Sequence, residues 1–289
     1  MTTALSARAY SIRARELGRH LRSAQEQSGL NNKTLAHHLG WSESRLSRVL
    51  SGRASSGDVD VSAFLAVCGV TGEGRAAILR LCRPNADANV LRLPADEHIG
   101  AYLAHSSDAA ALFEYQPSLV PWIAQIPDYA RAALSTWQSE SDRSSEQLAR
   151  RLGLATLINR PEVSLLVHEW ALRNPVGTAD LMSEQAHYLL RLSVRTNVSI
   201  RVIPLKSVAM PVGGFAFLEF PDYDTFVYRE EATAGLFIGD VDEVRTYREL
   251  RRALYAVALD DAASRDLLNV IATESSAVAD RDESLCVGR

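Results

Sequence analysis

The sequence predicts an α + α/β fold, in which a bundle of five short helices precedes a mixed α/β domain. Through about residue 83, apolar residues recur at helical spacing in short segments that glycines and capping residues separate. After residue 160, runs rich in β-branched residues alternate with helical segments, a pattern typical of a sheet with helices packed on it. The length of 289 residues suggests about two domains.

Capping residues and glycines divide the N-terminal part into helices. Asn31 and Ser42 are good N-caps, because their side chains can accept a hydrogen bond from a backbone N–H of the first turn. Gly29 and Gly40 can adopt the left-handed conformation that ends a helix. We therefore predict helices over residues 13–28, 31–39 and 42–52, a fourth that carries Val61 and Leu65, and a fifth that carries Ile78 and Leu81.

The sequence pattern changes beyond Pro84. Residues 84–100 lack a clear period and are predicted to be a linker. The last residues, 274–289, have little apolar surface to bury and are predicted to be disordered. The predicted domains are therefore a helical domain over residues 10–83 and an α/β domain over residues 101–273.

The α/β domain combines short strands with amphipathic helices. Alternating large apolar side chains predict a strand at 111–115, and β-branched residues predict strands at 162–172 and 198–205. The tetrapeptide PDYD predicts a hairpin turn between two further strands. The two strands of this hairpin are predicted at 213–220 and 225–231. One helix is predicted to begin at Pro127, and four more are predicted at 142–159, 178–195, 241–259 and about 261–272.

Charge is unevenly distributed along the chain. The formal net charge is −4, but residues 1–83 hold 12 Lys and Arg against 6 Asp and Glu, a net charge of +6 that leaves −10 for the remainder. A basic first domain indicates that a polyanionic partner would meet the N-terminal part of the chain. Uneven solvated charge without a partner is the alternative interpretation.

Cysteine spacing and hydropathy restrict the class of protein. Cys68, Cys82 and Cys286 are odd in number and lack metal-ligand spacing, so we expect a reduced, cytoplasmic protein without metal or cofactor. No apolar run approaches the roughly 20 residues that cross a bilayer, and no secretory signal precedes the first helix. We therefore expect no association with a membrane.

The turn at Gly40 joins two short helices in the manner of a DNA-binding helix-turn-helix. The second helix of such a motif lies in the major groove, where arginine can bind guanine O6 and N7 and glutamate can accept from cytosine N4. Because Leu46, Val49 and Leu50 face inward, the candidate base contacts are Glu43, Ser44, Arg45 and Arg48. Candidate phosphate contacts around the motif are Asn31, Asn32, Lys33 and Arg53.

The segment LGRHLRSAQEQSGLNNKTLAHHLGWSESRLSRVLSGR resembles the Cro-type phage-repressor family, also called the xenobiotic-response-element family. The Leu35–Ala36 pair, Gly40 and the Ser42-x-Ser44 sequence match that family. By position, the resemblance implies base reading by Glu43, Ser44 and Arg48, and binding of double-stranded DNA. The chain departs from the family at Leu50, where many members have glutamate.

The segment FEYQPSLVPWIAQIPDYARAAL resembles the signature of a C-terminal domain of unknown function. That domain is common in actinobacterial helix-turn-helix regulators of an antitoxin-like, WhiJ-like kind. The chain departs from the signature at Trp122 and Ile126, where glycine and threonine are usual. The two resemblances together span about residues 15–270, and they imply a transcriptional regulator that is often encoded near a small partner protein.

Aromatic residues of the α/β domain either line a pocket or fill the core, and the sequence leaves both interpretations open. The candidates for a ligand or partner pocket are Tyr115, Trp122, Tyr129, Trp170, Tyr188 and Tyr228.

The favoured interpretation is a homodimeric transcriptional regulator whose α/β domain senses a ligand or a small partner protein. The alternative is an antitoxin-like interaction module that neutralises a small partner and whose DNA binding is autoregulatory. The sequence lacks zincin, nucleophile-elbow and P-loop motifs, so we expect no enzymatic activity and no catalytic residue.

Overall fold

Short capped helices form the N-terminal part of the chain, as the glycine and capping pattern predicts. The computed structural model describes residues 11–82, 89–135, 145–207 and 213–287. Asn31 Oδ1 accepts a hydrogen bond of 2.9 Å from the N–H of Thr34, and Ser42 Oγ accepts one of 3.2 Å from the N–H of Arg45. The helices of this part are α1 (Ile12–Ser28), α2 (Asn32–Leu39), α3 (Glu43–Leu50), α4 (Asp58–Val67) and α5 (Gly72–Cys82).

The chain divides into two compact units. The first unit consists of Met1–Arg92 and Phe237–Glu243, and the second consists of Leu93–Leu236 and Val244–Arg289. Helices α1 to α5 share one apolar core in the first unit, because each helix contributes the side chains of its buried face. The main buried members of that core are Leu17, Leu21, Leu35, Leu46, Val49, Phe64 and Ile78.

A mixed sheet of seven strands lies within the described part of the chain, which confirms the predicted fold class. The strands are β1 (Val90–Pro94), β2 (Ala111–Gln116), β3 (Glu162–His168), β4 (Val198–Ile203), β5 (Phe215–Glu219), β6 (Phe226–Glu231) and β7 (Ala234–Ile238). Their order in the sheet is β1-β7-β6-β5-β2-β3-β4. Strands β2, β3 and β4 run parallel, whereas β5 is antiparallel to both β2 and β6. The β5–β6 pair is the hairpin that PDYD predicts.

Helices connect and cover these strands. Thr178 Oγ1 accepts a hydrogen bond of 3.2 Å from the N–H of Leu181 and caps the helix Ala179–Ser193, which lies within the predicted range of 178–195. No described helix is both long and apolar enough to cross a membrane. The remaining helices are α6 (His98–Ser106), α7 (Pro127–Ser135), α8 (Ser145–Gly153), α9 (Glu169–Arg173), α10 (Ala179–Ser193), α11 (Val241–Val257) and α12 (Asp261–Val287).

The prediction of a linker over residues 84–100 was wrong for its second half. Strand β1 and the first residues of α6 lie there. Leu91 and Leu93 are buried on either side of the exposed Arg92, so the strand has the usual alternation. Only two apolar residues carry that alternation, which is too short a pattern to stand out in the sequence. Residues 83–88 lie outside the described part of the chain.

The prediction of a disordered tail over residues 274–289 was also wrong for most of its length. Helix α12 continues through Val287. No glycine or proline occurs between Asp261 and Val287, so nothing in the sequence stops the helix where the apolar pattern fades.

Two further predicted elements differ in their ends. Strand β3 ends at His168 rather than at residue 172, because His168 Nδ1 accepts a hydrogen bond of 3.2 Å from the N–H of Trp170 and caps α9. The helix predicted over residues 142–159 consists of α8 followed by 3-10 turns at Leu154–Asn159. Its predicted start falls in residues 136–144, outside the described part of the chain. Strand β7 was not predicted.

Candidate nucleic-acid interface

Helix α3 presents a polar face above a buried apolar face. Leu46, Val49 and Leu50 are buried in the first unit, as their helical spacing requires. On the opposite side, Glu43, Ser44 and Arg48 are exposed. These three candidate base contacts occupy the first turn and the next turn of one short helix, so one groove can accommodate all of them.

Arg45 differs from the other candidate base contacts because it is paired within its own unit. Its Nη2 lies 2.5 Å from Asp60 Oδ2, and its guanidinium lies 4.3 Å from the centre of the Trp41 ring. The Arg45 side chain is 42% exposed, so the pair remains accessible to solvent. A base contact by Arg45 would have to compete with this ion pair, and we therefore rank it below Arg48.

The candidate phosphate contacts differ in the hydrogen bonds that they already make within the first unit. Asn31 uses Oδ1 for the helix cap, and Asn32 Oδ1 accepts a hydrogen bond of 2.8 Å from Gln25 Nε2. Lys33 is exposed beside the first N–H groups of α2, which lack intrahelical acceptors and favour an anion. Arg53 is exposed in the loop after α3, where its N–H donates to the carbonyl of Arg48 at 2.8 Å.

Close backbone packing against α1 fixes the C-terminal end of α3. Arg22 Nη1 donates a hydrogen bond of 2.7 Å to the carbonyl of Leu50. A Cβ atom at Gly18 would lie 2.5 Å from that same carbonyl oxygen, and one at Gly52 would lie 2.5 Å from Arg15 Cα. The sequence analysis missed these positioning residues, although a glycine inside a helix, as at Gly18, is itself a signal of close approach.

The six aromatic candidates of the second unit do not form one pocket. Tyr115 and Tyr129 are fully buried in the core, Trp170 is 52% exposed, and Tyr188 is half-buried. Two of the six, Trp122 and Tyr228, line the same small cavity. The sequence analysis did not select the charged residues beside them, which are Glu114, Arg151 and Glu230.

Burial shifts the acid–base equilibria of this cavity. Burial raises the pKa of Glu114, and the N–H groups of Trp122 and Ile123, the Gln116 amide and Arg151 lower it by less. Burial and the nearby Arg151 charge lower the pKa of His98 to about 4, so its ring is neutral at pH 7. His98 Nδ1 and Tyr228 Oη share a hydrogen bond of 2.7 Å.

We expect Glu114→Gln to stabilise the protein increasingly as pH rises. Because the pKa of Glu114 is raised above its ordinary value of 4.5, the folded state binds the proton more tightly than the unfolded state does. Stability is therefore lost as pH rises from about that ordinary value through the folded pKa, and the amide removes this loss. Melting temperatures of both proteins between pH 4 and pH 8 measure the effect, and a difference that does not change with pH would contradict it.

The described residues contain no group of three or more His, Cys, Asp or Glu side chains that could hold a metal ion.

Comparison with known proteins finds two family matches. The model of a domain of unknown function, DUF5753, matches residues 99–270, and the model of a helix-turn-helix domain matches residues 16–78. No curated protein matches the chain. One similar solved structure is TrmBL2, described as an archaeal chromatin protein with a novel mode of DNA binding. It is 11% identical, and the match covers 83% of this chain and 92% of that chain with a TM-score of 0.32, too low to bear on fold or function.

Proposed function

We propose that this chain, which belongs to the DUF5753 family, is a sequence-specific DNA-binding transcriptional regulator. The observation that carries the proposal is the exposed polar face of α3, within a domain that matches a helix-turn-helix family. The net charge of +6 over residues 1–83 supports a polyanionic partner. The resemblance of the first domain to the Cro-type phage-repressor family and of the second to a domain of actinobacterial helix-turn-helix regulators supports the same assignment.

In this proposal, α3 lies in the major groove of double-stranded DNA. Arg48 binds guanine O6 and N7, while Ser44 and Glu43 contact neighbouring bases. Lys33 and the start of α2 bind phosphate on one side, and Arg53 binds phosphate beyond the end of α3. Binding should weaken steeply with salt, because each phosphate contact releases counterions.

We propose further that the protein acts as a homodimer in the cytoplasm. A single helix-turn-helix makes too few base contacts for typical specific affinity, and paired motifs read two half-sites about one helical turn apart. The expected operator is therefore a palindrome. We assign the second unit a regulatory role, as a sensor of a ligand or small partner protein, and we assign no enzymatic reaction to either unit.

An antitoxin-like role is the second candidate function. The resemblance of the second unit to antitoxin-like regulators favours it, and the net charge of −10 beyond residue 83 suits a basic partner. Co-purification of a stoichiometric small protein encoded by a neighbouring gene would support this role. A monodisperse protein that binds its operator fully without any partner would count against it.

We expect Arg48→Ala to weaken operator binding by about 1–3 kcal/mol and to relax the preference at one base position. The alanine loses the bidentate guanine contact, and Arg48 has no role in the buried core. The measurement is selection of binding sites from a random duplex pool, followed by titration of the selected site. Arg80→Ala is the matched control, because Arg80 is also exposed in the first unit but lies on α5, outside the motif. Unchanged affinity and preference in Arg48→Ala would refute the assignment.

A further inference from the structure

The second unit contains a small cavity that both apolar and polar side chains line. The largely apolar residues of the lining are Ile99, Tyr102, Leu154, Phe215 and Ala216. The polar residues of the lining are Glu114, Gln116, Arg151, Tyr228 and Glu230. The proposed DNA contacts all lie in the first unit, so DNA binding gives this cavity no function.

Glu114 is a buried carboxylate with one oxygen left to bind a ligand. Its side chain is on β2, and the residue is 3% exposed. Oε1 accepts hydrogen bonds from the N–H of Trp122 at 2.9 Å and from Gln116 Nε2 at 3.3 Å. Oε2 accepts no hydrogen bond within 3.5 Å among the described residues, although the N–H of Ile123 lies close enough to lower the Glu114 pKa. A buried acceptor without a partner destabilises the fold, so its presence requires an explanation.

Arg151 carries one positive charge for two carboxylates: it forms an ion pair with Glu230, lowers the pKa of Glu114, and keeps its Nε without a hydrogen-bond partner among the described residues. Its Nη1 donates to Glu230 Oε2 at 2.8 Å, and its Nη2 donates to Glu230 Oε1, which makes the pair bidentate. The guanidinium also lies 3.9 Å from the centre of the Trp122 ring. With His98 neutral, the charged side chains that line the cavity carry one negative charge in excess when Glu114 is ionised.

We propose that this cavity binds a small organic ammonium ion, whose N–H group donates to Glu114 Oε2 while its apolar part lies against Phe215, Ala216 and Leu154. An anion would meet two carboxylates, and a wholly apolar molecule would leave Glu114 without a partner. An ammonium ion supplies both the missing donor and the missing charge, and charge-assisted hydrogen bonds are the stronger kind. Binding of the ammonium ion does not depend on the proposed function. Only its consequence, regulation of DNA binding by the first unit, rests on that function.

An ammonium ion larger than a water molecule enters this cavity only if a lining side chain moves, and we expect Trp122 to be that side chain. The space left between the lining side chains is about 10 Å³, room for no more than about one water molecule. Trp122 is half-buried in a 3-10 turn beside the cavity, with its ring over Arg151, and it is the partly exposed aromatic side chain of the lining. Entry of an ammonium ion should therefore shift the Trp122 ring and change its fluorescence.

The test is calorimetric titration of the full-length protein, without DNA, with methylamine, butylamine and benzylamine at pH 7. Each amine is compared with its alcohol and its carboxylate, so that size is held nearly constant while charge changes. We expect at least one amine to bind and both counterparts of that amine to bind at least tenfold more weakly. The binding amine should change the tryptophan fluorescence of the wild-type protein, and Trp122→Phe should lose that change.

Glu114→Gln provides the decisive variant, because glutamine keeps the shape and removes the charge. We expect it to bind the amine at least tenfold more weakly, whereas Glu162→Gln, at an exposed carboxylate on β3, should bind it as the wild type does. Binding of no amine, equal binding of alcohol or carboxylate, or unchanged affinity in Glu114→Gln would each overturn the proposal. The comparison of ligands on the wild type decides the question even if the variant fails to fold.

These measurements separate the binding site from DNA recognition. Because the titrations contain no DNA, their failure would leave the assignment of Arg48 untouched. Conversely, if the protein bound no operator, the evidence for amine binding in the second unit would be unaffected. If both hold, saturating amine should change operator affinity in the wild type and leave it unchanged in Glu114→Gln, since coupling requires both sites.

Discussion

Replacing Gly18 by alanine is expected to destabilise the first unit by about 2 kcal/mol and to weaken DNA binding with it. The new Cβ would lie 2.5 Å from the carbonyl oxygen of Leu50 and 2.9 Å from the N atom of Gly52. Both are backbone atoms that cannot rotate away, so the end of α3 has to move off α1. Helix propensity alone would favour alanine by about 1 kcal/mol, and the expected loss is therefore a pure packing effect. Amide hydrogen exchange in α1 and α3 measures it locally.

Gly74→Ala is the matched control for this substitution. Gly74 also lies in a helix of the first unit, but no described atom outside its own neighbourhood lies within 4 Å of a Cβ placed there. The control has the same gain in helix propensity without the clash, so it should leave exchange in α1 and α3 unchanged or slightly slower. Similar exchange in both variants would show that α1 and α3 do not depend on close approach at Gly18.

Arg151→Met is expected to destabilise the second unit by about 3 kcal/mol at neutral pH. The substitution keeps the apolar length of the side chain but leaves Glu230 without its bidentate partner and Glu114 without its nearest positive charge. Glu114 then becomes easier to protonate, so the loss should shrink as pH falls toward 4. Thermal melting of both proteins across that pH range tests the size and the pH dependence together.

Arg150→Met is the control for the buried pair. Arg150 is the neighbouring residue on α8, and it forms a solvent-exposed ion pair with Glu146 at 2.6 Å. Exposed pairs of this kind contribute only about 0–1 kcal/mol, so Arg150→Met should change the melting temperature little. If the two substitutions destabilise the protein equally, burial of Arg151 is not what makes its ion pair strong.

Local signals are the reason that the first unit could be predicted from the sequence. Asn31 and Ser42 cap helices through hydrogen bonds that reach three residues along the chain, and Gly40 ends α2 with a φ of 64°. Such features depend on a few consecutive residues, so the boundaries of α2 and α3 follow closely from the pattern.

The parts that the sequence did not predict depend on contacts between distant residues. Arg151 and Glu230 are separated by 79 positions, and no local pattern distinguishes their buried pair from two solvated charges. Phe237–Glu243 belongs to the first unit, although about 145 residues separate it from Arg92. No pattern in the sequence indicates that this distant segment packs with the first unit. The sequence does not show that Trp122 lines a cavity whereas Tyr115 lies in the core, because aromatic residues occur in both places.

Recognition of a guanine by Arg48 is tested most directly by a double-mutant cycle between protein and DNA. One change is Arg48→Ala, and the other replaces one operator guanine by 7-deazaguanine, which removes the N7 acceptor without disturbing pairing. At the contacted guanine, each single change should weaken binding, and the two together should weaken it little more than Arg48→Ala alone, because the alanine already lacks the N7 contact. The coupling should then equal the loss that 7-deazaguanine causes in the wild type, on the order of 1 kcal/mol. Strictly additive losses at every guanine of the operator would contradict the placement of α3 in the major groove.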